Sequence, residues 1–180
     1  MSFSKLSADL IIAEAIQLLQ EEGLSGVSLR KVAKRLDASV SSLYWHVKDR
    51  EALYTLMSGR IFRKCVEEVP ACSNWEDWLK AFGMSLWQAQ VDIPDIQKLI
   101  LQARPDNETL SALRMDLIGQ LTRLGADADQ AAFAQTSVQA LVTGWTTLGR
   151  NVAGREGARE IGYAIEVLIE GIHSIAAKRR

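Results

Sequence analysis

The sequence predicts an all-α protein: an N-terminal three-helix helix-turn-helix head, joined by a fourth helix to a larger α-helical body. Three observations lead there. Apolar residues recur at spacings of three and four, and apolar–polar alternation never persists beyond four positions, so the period is helical. Ser, Asp and Gly stand at the ends of these stretches, where caps belong. The 180 residues include only three prolines, Pro70, Pro94 and Pro105, and the intervening stretches are rich in Ala, Leu, Gln and Glu. With 48% hydrophobic residues, the chain can bury a substantial core.

Each element follows in order. Ser7 reads as the N-cap of a first helix whose stripe is Ile12, Ala15, Ile16 and Leu19, and Gly23 ends it. Ser28 caps a second helix with Leu29, Val32, Ala33 and Leu36 on its apolar face. Asp37-Ala38 makes a short turn. Ser39 caps a short third helix with Val40, Leu43 and Val47 inward, and Asp49 caps a fourth carrying Leu53, Leu56, Met57 and Ile61. The stretch from Pro70 to Asn74 is a loop. Helix is then expected from Trp75 to Gln90, from Asp95 to Ala103 and from Asp106 to Leu124, followed by Asp127 to Leu148. A loop from Gly149 to Gly157 precedes a last helix from Arg159 to Ala177, which makes about nine helices. The expected division is a head over 1–48, a connecting helix over 49–69 and a body over 70–180.

Composition excludes several classes. The net charge of −1 argues against a generic polyanion binder. Its distribution says more: residues 1–64 hold ten Lys and Arg against seven Asp and Glu, a net of +3, while the remainder holds 11 against 15, a net of −4. A basic head on an acidic body suits a protein that offers one end to nucleic acid. Cys65, Cys72, His46 and His173 are too few for a structural zinc site, so no metal and no cofactor are expected, and the two thiols read as reduced. Asp9 and Glu14 interrupt the first apolar stretch, which leaves no leader pattern. Residues 130–149 carry no charge, yet the Gln, Thr and Ser scattered through them make a poor lipid-facing helix. A buried interface helix, no membrane partner and a cytoplasmic location are expected. No G-x-S-x-G, HExxH or P-loop pattern is present, and an enzyme is not expected.

The segment from Ser28 to Val47 is helix, turn, short helix. Its second helix exposes Ser41, Ser42, Tyr44, Trp45 and His46, whose hydroxyl, indole and imidazole groups can meet base edges and phosphates in a major groove. Arg30, Lys31, Lys34 and Arg35 before it, and Lys48 and Arg50 after it, would neutralise phosphates. On pattern alone, a helical hairpin with a solvated basic face remains open.

The stretch Ser39-Val-Ser-Ser-Leu-Tyr-Trp-His-Val-Lys-Asp-Arg-Glu-Ala-Leu53, with Leu-Arg-Lys-Val-Ala at 29–33 upstream, resembles the signature of the TetR (tetracycline repressor) family. The resemblance continues through Trp75-Glu-Asp-Trp-Leu79 and Ala103-Arg-Pro105, is loose after about residue 125, and is nearest to the tetracycline repressor subgroup. It implies a double-stranded DNA reader. Arg30 would reach a base from the second helix, and Val40, Ser41 and Ser42 would open the base-reading helix. Tyr44, Trp45, His46, Lys48 and Arg50 would mainly contact phosphate, with Ser28, Lys31 and Ser39 completing the DNA-binding set. Two departures matter. Asp37 stands where the family usually has Gly in the turn, and Asp tolerates the left-handed conformation that a turn needs. Val40 replaces a polar reader and can only touch a thymine methyl or fill space, so the operator sequence does not carry over.

The body offers a dimer and a pocket. The last helix has Ile161, Ile165, Leu168, Ile172 and Ile175 at steps of four and three, a coiled-coil-like seam. The uncharged helix before it lines Phe133, Ser137, Ala140, Leu141, Gly144 and Leu148 on one side. Both stripes could close a monomer's core, but the family pairs the corresponding helices into a homodimer, and two-fold symmetry implies a palindromic operator. Apolar and aromatic residues of the middle helices, with polar groups among them, suit either an ordinary core or a small-molecule site. The resemblance favours the site and assigns it Phe82, Leu86, Ile100, Arg104, Pro105, Leu113, Asp116 and Leu117. The subgroup holds a drug–magnesium complex with histidines; Ile100 stands at the matching position, and no histidine occurs between His46 and His173. The effector implied is a small apolar or amphipathic molecule other than tetracycline–Mg, released DNA being the response. The alternative is a DNA-bound adapter of the same fold with no effector.

Overall fold

The computed structural model describes residues 6–104, 107–148 and 154–178. Among these it has α1 (Ala8–Glu22), a 3-10 turn (Leu24–Gly26), α2 (Leu29–Arg35), α3 (Val40–Tyr44) and α4 (Arg50–Glu67). Then come α5 (Trp75–Asp92), α6 (Ile96–Gln102), α7 (Asn107–Arg123), α8 (Ala128–Leu148) and α9 (Arg155–Lys178). No strand occurs among the described residues, and none of their helices is long and apolar enough to cross a membrane.

The caps explain the helix starts. Ser7 Oγ accepts from Leu10 N, Ser28 Oγ from Lys31 N, and Ser39 Oγ from Ser42 N at 3.1 Å, each satisfying a donor the first turn leaves open. Asp49 Oδ1 does the same for Ala52 N at 2.8 Å at the head of α4. Asp37 takes the left-handed conformation, φ 48°, between α2 and α3, as its place in the turn led one to expect.

The chain divides into two compact units. The first joins residues 1–63 with 93–105 and so includes α6, which the sequence reading had placed in the body. Two hydrogen bonds account for that correction. Asp95 sits at φ 57°, its Oδ2 accepts from Leu24 N at 3.0 Å, and its Oδ1 pairs with Lys98. The Arg104 backbone N–H donates to Thr55 Oγ1 on α4 at 2.9 Å. Gly23 is required beside this contact: its φ is 69°, and a Cβ there would lie 2.8 Å from Asp95 Oδ2. Ile11, Leu18, Leu19, Leu43, Leu53 and Met57 are fully buried and form the centre of this unit.

In the second unit, residues 64–92 with 106–180, α8 packs against α5, α7 and α9. The approach is close at Gly83, where a Cβ would stand 2.8 Å from both Val138 Cγ1 and Ile165 Cδ1. Gly83→Val should therefore force α5 away from α8 and α9 and lower stability by about 1–3 kcal/mol. Urea unfolding measures this, and an unchanged midpoint would show the three helices to be less tightly seated.

Two expectations need correcting here. The α9 seam is mostly core: Ile161, Ile165, Ile169 and Ile172 are buried, Leu168 is half-buried, and of the five seam residues only Ile175 is exposed. This face of α9 packs on α5 and α8. The helix also begins at Arg155, one turn before Arg159, because Gly154 at φ 97° turns the chain and its carbonyl accepts from Ala158 N at 3.0 Å. The loop expected over 149–157 otherwise falls largely outside the described residues.

Candidate functional site

The first candidate surface lies on α3 and its flanks. Burial of Leu43 and Val47 fixes which side of α3 faces inward, and periodicity then turns Ser41, Tyr44, Trp45 and His46 outward. Trp45 is 89% exposed and Tyr44 54%, which is unusual for large aromatic residues that a fold could otherwise bury. The three serines hold the helix start together: Ser42 Oγ donates to Ser39 O at 2.6 Å, and Ser41 Oγ lies 3.0 Å from Ser39 Oγ. Val40 is half-buried at the first helical position. Ser28 is engaged as the α2 cap and half-buried.

The cations divide into two groups. Arg30, Lys34 and Lys48 are exposed and have no acidic partner among the described residues. Lys31 Nζ, by contrast, pairs with Glu22 Oε2 at 2.5 Å. Arg35 donates to Glu14 Oε1 at 3.0 Å and to Glu21, tying α2 back to α1. Its expected service to phosphates gives way to this structural one, since its forked donors are already met by carboxylates. Arg50 is positioned by a partner the sequence reading missed: Nε donates to the buried Tyr54 Oη at 2.6 Å, and the guanidinium lies 5.1 Å from the Tyr54 ring centre. The i, i+4 spacing on one helix was the available signal.

Hydrogen bonds from Arg35 and then Gln17 hold the Glu21 carboxyl below the ordinary carboxylate range. A depressed carboxylate stabilises the fold above its unfolded pKa, about 4.3, and the contribution disappears as pH falls through the lowered value. Arg35→Gln should therefore unfold at a lower urea concentration than the parent near pH 7, with the gap closing in acid. Equal gaps at about pH 7 and pH 3 would contradict the assignment.

The second candidate site is a cavity of about 540 Å³ within the second unit. Val66 and Val69 enter it from the end of α4 and the residues just beyond, and Pro70, Ala71 and Cys72 from the following loop. Trp78 supplies the α5 wall, and α7 contributes Asp116, Leu117, Gln120 and Arg123. Cys72 Sγ donates to Pro70 O at 3.2 Å, while Cys65, outside the lining, is a buried thiol whose pKa burial pushes up. No group of three or more His, Cys, Asp or Glu among the described residues is placed to hold a metal ion.

Of the pocket residues inferred from sequence, Asp116 and Leu117 line this cavity. Phe82 and Leu86 do not: both are buried in the core of the second unit, with Phe82 stacked on Trp78 at 5.3 Å between ring centres. Leu113 is half-buried on α7 and not in the lining. Ile100 and Arg104 belong to the first unit, and Pro105 lies outside the described residues. The missed residues were partly legible. Asp116, Gln120 and Arg123 stand at i, i+4 and i+7 on one face of α7, but nothing local marks the loop at 70–72 as a wall.

Residues 11–57 match the profile of bacterial regulatory proteins of the tetR family. The chain is 30% identical over 116 residues to tetracycline repressor protein class D of Escherichia coli, covering 63% of this chain and 53% of that protein. It thus spans about half the length of this curated relative. Among solved structures, it is similar to ActR of Streptomyces coelicolor in complex with actinorhodin, with a TM-score of 0.74, 20% identity, and coverage of 95% of this chain and 97% of that one. It is also similar to BioQ with its double-stranded DNA operator, with a TM-score of 0.65, 19% identity, and coverage of 93% and 98%. At these identities the structural likeness is one of fold.

Proposed function

We propose that this chain is a TetR-family transcriptional repressor, with its DNA-binding head over the matched residues 11–57, released from a palindromic operator by a small molecule. The observation that carries this reading is α3: it is capped by Ser39, seated by Leu43 and Val47, and presents Ser41, Tyr44, Trp45 and His46 outward. A helix so presented fits a major groove. Arg30 reaches a base from α2, Lys34, Lys48 and Arg50 flank α3 as phosphate partners, and Lys31 can join them only by leaving Glu22. BioQ is solved with its DNA operator and ActR with actinorhodin, and these two likenesses support a DNA site and a ligand site here.

The protein acts in the cytoplasm as a homodimer. Buried Ala131, Ala134, Val138 and Val142 turn one side of α8 inward, which leaves Phe133, Ala140 and Leu148 outward. On α9, Tyr163, Val167 and Ile175 are likewise exposed. Large apolar residues on the outer faces of two mutually packed helices suit a second copy of the same surface, and the isologous contact makes the operator an inverted repeat. A ligand that favours a DNA-incompetent state shifts occupancy in proportion to its preference, and full reversal needs about 10⁴-fold.

Selection from random DNA followed by gel shift tests the reading. An inverted repeat bound by a sedimenting dimer is expected. Recovery of no enriched sequence, or a monomer at micromolar concentration, would overturn it. An operator-bound protein that no ligand displaces would instead favour an adapter.

A further inference from the structure

We propose that the cavity between the α4–α5 loop, Trp78 and α7 binds a flat zwitterion with an apolar body, its cationic end at Asp116 and its carboxylate at Arg123. This rests on the ligand-responsive reading above and names the class of ligand.

Asp116 and Arg123 are seven residues apart on α7, hence on the same face and about 10 Å apart at a rise of 1.5 Å per residue. That is too far for them to neutralise each other. Asp116 has no hydrogen-bond or ion-pair partner among the described residues, and Arg123 has no acidic one. Arg123 is nonetheless held: its Nη2 donates to Gln120 Oε1 at 2.7 Å, which fixes the guanidinium in the row of cavity-facing residues. Gln120 Nε2 remains to donate midway along the row.

Val66, Val69 and Leu117 are apolar, and Trp78 offers an indole held by its stack on Phe82 at an interplanar angle of 19°. Charges at the rim of a cavity with partly apolar walls act more strongly than the same charges on open surface, because low-dielectric walls focus their field. A volume of about 540 Å³ suits a drug-sized molecule. An uncharged ligand would leave both ionic groups unanswered, and a singly charged one would answer only one. A rigid body with an ammonium at one end and a carboxylate at the other answers both, and the carboxylate matches the forked donors of Arg123.

The test is calorimetry on the full chain with four probes sharing one biphenyl body. They are 4′-(aminomethyl)biphenyl-4-carboxylate, the amine-only analogue, the carboxylate-only analogue and the neutral hydroxymethyl analogue. The zwitterion is expected to bind about tenfold more tightly than either singly charged probe, the gain of one charge-assisted contact. Asp116→Asn should reduce the zwitterion to the affinity of the carboxylate-only probe, and Arg123→Gln should reduce it to that of the amine-only probe. Both residues are exposed, so thermal melts should not move, which shows that lost binding is not lost folding. Equal affinity for all four probes, no binding of any probe, or a ranking that both substitutions leave unchanged would overturn the site. A gel shift separates this from the parent reading. Operator release by a ligand indifferent to both substitutions would remove the site and keep the ligand-responsive repressor. Charge-ranked probe binding with no release would do the reverse.

Discussion

Tyr44→Ala and Arg50→Ala should each weaken binding to the selected operator by about ten- to a hundredfold, the loss of one hydrogen bond to a charged group. The two fail for different reasons. Tyr44 is more than half exposed, so its removal leaves the head intact and the loss is read as a lost contact. Arg50 has a second duty, because its Nε satisfies the hydroxyl of buried Tyr54 at 2.6 Å. Its truncation should also cost about 1–3 kcal/mol of stability by leaving that hydroxyl unpaired. Arg50→Lys separates the duties: it keeps the charge and loses the fork. The dependence of log affinity on log salt should fall by about one for Arg50→Ala and stay near the parent value for Arg50→Lys. Unchanged affinity for both alanine variants in a gel-shift titration would remove α3 and its flank from the DNA interface.

Phe82→Ala should lower the stability of the second unit by about 3–5 kcal/mol. The sequence made Phe82 a candidate for the ligand pocket; the structure makes it fully buried, stacked on Trp78 and one residue from the close approach at Gly83. A core phenylalanine that is removed takes its transfer free energy with it and leaves a void, because α5, α8 and α9 cannot collapse fully around it. A pocket phenylalanine would instead cost little stability and much ligand affinity. Asp116→Asn provides the contrast, with stability unchanged and the affinity for the zwitterion reduced about tenfold. Chemical unfolding of both variants decides between the roles, and a Phe82→Ala midpoint equal to the parent's would return the residue to the pocket.

The head was legible in detail because its determinants are local. Ser7, Ser28, Ser39 and Asp49 cap within three residues of themselves, and Asp37 turns the chain with its own φ. Leu43 and Val47 declare their burial by spacing alone. Charge was less legible. Lys31 and Arg35 look like the other cations in the sequence, but the carboxylates that engage them stand on α1, nine to twenty-one residues earlier.

The body was legible as helices and much less so as surfaces. The isoleucine seam of α9 was visible, but its period states only that one face is apolar, not which neighbour takes it. Ile161 and Ile165 are core because α5 and α8 are there, and the outward face belongs to Tyr163 and Val167. The cavity shows the same limit. Asp116 and Leu117 were found, and Gln120 and Arg123 share their helix face, but Val66, Val69 and Cys72 join them only through folding across some fifty residues. Asp95 became part of the head's unit in the same way, through one carboxylate meeting Leu24 N. The sequence by itself determined the all-α class, the capped third helix and the basic charge of residues 1–64, because caps, turns and periodicity act over a few residues. The tertiary structure alone decided which cations stay free, which apolar stripe is core and where the cavity opens, because those depend on side chains that packing brings together from distant parts of the chain.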